Sequence, residues 1–191
     1  MYEPKNFERL LGTEGFSDVL LRNHFTLYEG YVSNTNKVSE LLKSTETGTP
    51  AYNELKRRFG WEWDGMRLHE LYFGNMIKEG NAIDNKGALV KKIEESFGSV
   101  SAWEKDFKAT GAMRGIGWAV LAYDTESGRL FNVWVNEHDG GHLAGAVLLL
   151  VMDVFEHAFV LDYGIKRADY IAAFWNAIDW SVVSNRFVAG K

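Results

Sequence analysis

Four side chains of this sequence have the types and spacings of a metal-binding set. His24 shares a stretch with Tyr28 and Tyr31 at steps of four and three, so the three project from one face if that stretch is helical. His69 lies in a second segment of helical spacing, while Asp153 and His157 are four residues apart, just beyond the apolar run Ala146 to Met152. A carboxylate that ends a core strand needs a strong partner, because a buried unpaired charge is costly. Three imidazoles and one carboxylate form a hard-to-borderline nitrogen and oxygen set that suits iron or manganese and leaves room for a solvent ligand. Read singly, each residue keeps a plainer alternative: His24 and His69 as packed core histidines, Asp153 as a helix cap.

Composition narrows the field. The chain has 191 residues and no cysteine, which removes disulfides, thiolate metal sites and cysteine nucleophiles and leaves His and carboxylates as the available ligands. A net charge of −5 with no Lys/Arg block lacks the footprint of a nucleic-acid binder, so no nucleic-acid partner is expected. The opening MYEPKNFERLLGTEGF has no apolar h-region, and no stretch approaches the ~20 apolar residues of a membrane span. A cytoplasmic protein without a membrane partner is the expectation. Aromatic residues make up 14% of the chain, which predicts a dense interior.

The elements that must carry these side chains follow from periodicity. From Gly15 to Leu42 apolar residues recur at three-to-four spacing, with Ser17 or Asp18 as cap, and predict one long helix with room for a kink near Gly30. The TETGTP turn follows, and Ala51 to about Ile77 returns to helical spacing. In an antiparallel pair turning near Gly48, His24 and His69 come level across the interface. GNAIDNKG (Gly80 to Gly87) marks a boundary between an N-terminal helical hairpin domain (1–86) and a C-terminal α/β domain (87–191). Beyond it, Ala88 to Phe97 and Ser99 to Ala112 read as shorter helices, the second opened by Ser99 or Ser101 with Glu104 in capping-box position. GWAVLAYD and RLFNVWVN, joined by TESG, read as a β-hairpin, Ala146 to Met152 as a buried third strand, and Arg167 to Trp175 and Ser181 to Val188 as helices. The fold class is α+β: a two-helix hairpin packed on helices around a three-stranded antiparallel sheet.

At Asp153-Val154-Phe155-Glu156-His157-Ala158 the sequence resembles the iron/manganese superoxide dismutase signature Asp-x-Trp-Glu-His-Ala, with Phe in place of Trp. The resemblance extends along nearly the whole chain. YVSNTN (Tyr31 to Asn36) is similar to the family's Tyr-Val-x-Asn-x-Asn, Gly115-Ile116-Gly117-Trp118 to its Gly-Ser-Gly-Trp, and RADY and FWNAIDW to its Arg-Pro-Asp-Tyr and Phe-Trp-x-x-Asn-Trp segments.

The resemblance implies that one iron or manganese ion per subunit is held by His24, His69, Asp153 and His157. His24 precedes Tyr31 by seven residues where the family pattern has eight; removing a local π-bulge re-aims a side chain by roughly 100° and keeps His24 as the ligand rather than Asn23. Tyr31 is implied as the gateway phenol and Trp118 as a pocket wall, with Tyr28 and Tyr72 nearby. Glu156 is implied to reach His157 of the partner subunit across a two-fold axis, which makes a homodimer, or a dimer of such dimers. Arg167 is implied to lend positive potential for superoxide, the anionic substrate.

The outer-sphere Gln of the family is replaced here: one of its two locations is Gly65, and the other reads Asn136-Glu137-His138-Asp139, so the resemblance implies that His138 takes its place, the plainer alternative being an exposed turn His. Family members with His there often use iron and some use manganese, and iron is the implied preference. The family's partners in a cross-subunit hydrogen bond have become Leu27 or Tyr28 and Val160 together. The implied activity is disproportionation of superoxide to O2 and hydrogen peroxide. The alternative is a protein of this fold that holds metal for structure or binds a partner without turnover.

Overall fold

The computed structural model describes residues 1–190. The long helix expected at the N-terminus is α1 (Asp18–Ser44), opened by Ser17, whose side chain accepts from the Leu20 amide. It is α-helical throughout, with no π turn. Thr49 caps α2 (Pro50–Gly74), whose Pro50 sits in the first turn, where a missing N–H costs nothing. The two helices form an antiparallel hairpin, and α2 stops three residues short of the expected Ile77. Met76 there bridges to Ile178 and the Ile77 amide donates to Ala177 O, so the chain leaves the helix to join the C-terminal half. Arg9 caps the end of α2 by donating to the carbonyls of Phe73 and Met76.

Beyond the linking segment come α3 (Ala88–Phe97) and α4 (Val100–Gly111). Ser99 caps α4; Glu104 pairs with Lys108 one turn on instead of closing a capping box. The sheet comprises β1 (Gly117–Asp124), β2 (Arg129–Asn136) and β3 (Val147–Asp153), ordered β2-β1-β3 and antiparallel throughout. β1 is central and buried along nearly its whole length, as its unbroken apolar run requires. β3 pairs with its other edge so that Trp118 lies opposite Asp153, after a register shift at Leu121/Ala122. A 3-10 turn at Glu156–Ala158, the short α5 (Val160–Tyr163), α6 (Arg167–Asn176) and α7 (Trp180–Ala189) complete the chain. No helix among the described residues is long and apolar enough to cross a membrane.

Asn75, fully buried at the end of α2, fastens the hairpin to the sheet. Its side chain accepts from the Val151 amide and Arg186, and donates to Tyr72 O. Thus α1 and α2 carry His24 and His69 to the end of β3, where Asp153 emerges from the core.

Candidate metal centre

Three imidazoles converge on one carboxylate oxygen. Asp153 Oδ2 lies 3.1 Å from His24 Nε2, 3.2 Å from His157 Nε2 and 3.5 Å from His69 Nε2. The ligand atoms of the four residues all fall within 4.8 Å of one another. His24 and His69 face each other across the helix hairpin with ring centroids 5.0 Å apart. The other carboxylate oxygen, Oδ1, accepts from the Phe155 amide at 2.8 Å, and the Asp153 carbonyl accepts from Tyr170 Oη. Side chain and backbone of Asp153 are therefore both fixed. His24, His69 and Asp153 are buried, whereas the His157 side chain is 29% exposed.

The protonation of His69 tests whether a cation fits. Its Nδ1 is 2.6 Å from Gly65 O, and a carbonyl can only accept, so Nδ1 carries the proton. Burial, reinforced by His24, holds His69 well below the usual imidazole range, so the ring is neutral and Nε2 presents a lone pair. That lone pair faces an ionised carboxylate oxygen and has no hydrogen-bond partner. Two acceptors facing each other at a buried site fit a cation between them. The donor set supplies nitrogen and oxygen only, which suits iron or manganese.

The remaining titrations agree. Burial lowers His24, outweighing the opposing pull of Asp153. Burial also works against ionisation of Asp153, yet His157 and His24 together hold its carboxyl well below the usual carboxylate range. All three groups thus bind protons less readily folded than unfolded, so the associated stability is present above the unfolded values and lost as pH falls. For the histidines the loss begins below about pH 6.5, and for Asp153 below about 3.9. The melting temperature of metal-stripped protein should therefore fall steadily on acidification from neutrality; a flat profile from pH 7 to 4 in thermal unfolding would contradict this charge assignment.

His138 is fully buried beside the cluster. Trp118 Nε1, which can only donate, lies 3.2 Å from His138 Nδ1, so the His138 proton sits on Nε2 and is donated to Tyr31 Oη at 2.8 Å. Burial pushes His138 down to about 4, which keeps this single-proton form at neutral pH. Tyr31 is raised far above its ordinary value by burial and by the Asp153 and Glu62 charges, so it stays a phenol. Its ring stacks on His69 with centroids 5.1 Å apart. Gly65 is what permits this: a Cβ there would meet Tyr31 Cδ1 at 2.6 Å.

The other expected residues lie farther out. Trp118 packs edge-on to His69, as a wall should. Tyr72 packs against His24 and hydrogen-bonds Tyr170. Tyr28 is turned away, its hydroxyl donating to Glu70 and accepting from the Lys5 amide, and burial pushes it up to about 12. Glu156 is exposed next to His157. Arg167 directs two donors to Met113 O and Gly115 O, bracing the loop that leads into β1.

Sequence reasoning passed over Phe155, which stacks on both His138 and His157, and Tyr170, which holds the Asp153 carbonyl. Both lie inside the motifs DVFEHA and RADY, where their positions could have been read.

Comparison with known proteins agrees with this geometry. Residues 85–186 match the family described as iron/manganese superoxide dismutases, C-terminal domain. A superoxide dismutase [Fe] from Aquifex pyrophilus is 38% identical over 194 residues, covering 97% of this chain and 90% of that protein. A superoxide dismutase [Mn] from Haloferax volcanii is 38% identical over 173 residues, covering 88% and 85%. Another iron-named relative, from Saccharolobus solfataricus, is 35% identical over 166 residues, covering 83% and 79%. With a likeness to these enzymes over most of each chain and a His-rich cluster built around a core-strand aspartate, the chain belongs to the iron/manganese superoxide dismutase family.

Proposed function

We propose that this chain disproportionates superoxide to O2 and hydrogen peroxide at one iron or manganese ion per subunit, iron preferred, held by His24, His69, Asp153 and His157. The observation that carries the reading is the unpartnered His69 Nε2 facing Asp153 Oδ2 inside the core. When bound there, a redox-active ion would supply a one-electron store between one superoxide and a second.

The chain's own residues set the charge and move protons. Three neutral imidazoles and one carboxylate contribute a single negative charge, which leaves a site holding a divalent or trivalent ion net positive toward an anion. Reduction of superoxide to hydrogen peroxide consumes two protons. Tyr31, kept as a phenol and accepting from His138 Nε2, has its own hydroxyl proton to donate to the superoxide that is reduced. His138 behind it holds the next proton in line. Phe155, Trp118 and Tyr72 surround the cluster with rings and keep bulk water away.

His138→Ala should keep the metal and lower turnover by roughly ten- to a hundredfold, the scale on which outer partners act. Unchanged activity across pH would count against its role. Exposed Val160, Leu161 and Ile165, close in sequence to exposed Glu156, support a homodimer in which Glu156 reaches His157 of the partner subunit.

The deciding experiment is metal analysis with superoxide scavenging on protein reconstituted separately with iron and with manganese. The iron form should be the more active. Stoichiometric metal with no scavenging in either form would leave a metal-holding protein without turnover.

A further inference from the structure

Trp61, Gly65 and His69 fall at steps of four along α2 and share one of its faces. Gly65 makes room for Tyr31 and His69 joins the cluster, while Trp61 reaches the turn that carries His138. Its indole Nε1 donates to Glu137 Oε2 at 3.0 Å. The indole ring lies edge-on to His138, centroids 4.6 Å apart, and 5.5 Å from the Tyr31 ring.

Glu137 has φ +50°, the one non-glycine residue with positive φ among those described. L side chains rarely adopt this conformation, and it persists only where surroundings enforce it. The turn is closed by two backbone bonds between Asn136 and Gly140, and His142 Nε2 donates to His138 O at 2.8 Å. Those bonds tie the ends of the turn and its far carbonyl; the Glu137 carboxylate is the handle on the residue that enters His138. Trp61 is itself held from outside, with the Arg58 guanidinium 4.0 Å over its ring and Arg58 paired to buried Glu62 at 2.8 Å.

We propose that Trp61 is a positioning residue for the reaction: through its hydrogen bond to Glu137 it holds the 136–140 turn in the left-handed form that sets His138 Nε2 against the Tyr31 hydroxyl. The kinetic part rests on the dismutase reading; the geometric part does not.

The test uses metal-loaded W61F, E137A, E137Q and the W61F/E137A double variant. W61F keeps a ring and removes the N–H, and E137A removes the acceptor without touching α2. Crystal structures of both should show His138 Nε2 beyond hydrogen-bond reach of Tyr31 Oη, with turnover lowered about tenfold at unchanged metal content. E137Q retains an acceptor oxygen and should retain the wild-type His138 position. The double variant should be no worse than either single one, because the two changes cut the same link. His138 unmoved in both single variants, or losses that multiply in the double variant, would overturn the proposal. If the wild-type protein shows no superoxide turnover, the dismutase reading fails, and the position of His138 in the variants still decides this one.

Discussion

Asp153→Asn should yield a folded protein that no longer holds metal, with occupancy below about a tenth and superoxide turnover down by more than about a hundredfold, beyond what outer partners contribute. The reason lies in which atoms face which. In the native chain Oδ2 meets three imidazole nitrogens, and at least His69 Nε2 is a lone pair opposed to it. Asparagine has the same shape and no charge. Its oxygen can keep the bond from the Phe155 amide, which turns the NH2 group toward the imidazoles. Two N–H donors then meet ring nitrogens that previously needed a cation, so the substitution satisfies the core and removes the negative charge that an ion requires. Circular dichroism should report native secondary structure while metal analysis reports loss. Occupancy and turnover within about threefold of wild type would show that Asp153 is not a ligand.

Gly117→Ala should be strongly damaging for so small a substitution, destabilising the protein by about 3–5 kcal/mol. Gly117 opens β1 at φ +135°, and a Cβ there would lie 2.0 Å from Val135 O, a backbone atom on the paired strand that cannot swing aside. Its carbonyl also accepts from the Val154 amide at 2.9 Å, so any shift reaches the residue after Asp153. Trp118, the donor that sets the His138 tautomer, is its neighbour. A fall of about 10 °C in melting temperature is expected on the scale of 2–4 °C per kcal/mol for chains of this size. Gly128→Ala is the control: φ is +66° there and nothing lies within 4 Å of an added Cβ, so only the backbone conformation resists, at about 1 kcal/mol. Equal melting temperatures for the two variants would mean that the contact with Val135 O relaxes freely.

The contrast between those glycines indicates what was legible in the sequence. The hairpin strands Gly117–Asp124 and Arg129–Asn136 were readable to the residue, because aromatic and β-branched runs flank a short polar turn. The level placement of His24 and His69 came from counting outward from the α1–α2 turn, since an antiparallel helix pair fixes register by length alone. The choice of His24 over Asn23 was also open to sequence, and in the structure His24 joins the cluster from an α1 that is α-helical from Asp18 to Ser44. α5 and the Glu156–Ala158 turn were not, because three or four residues carry no period. Nor was the anchoring of Arg167, because its bonds to Met113 O and Gly115 O depend on a loop whose path is set by tertiary packing. The His138 tautomer likewise needed coordinates, since it follows from which neighbour can only donate.

The cluster draws two members from the helical hairpin and two from the end of β3 and the turn beyond it. A donor ring divided across such a seam works as a clasp. On the proposed ligation, an ion is gripped only when both halves are seated, and it escapes most readily when they part. Shelf life at elevated temperature should accordingly track the concentration of free metal through mass action, with the loaded form outlasting the stripped one even though every covalent bond is the same.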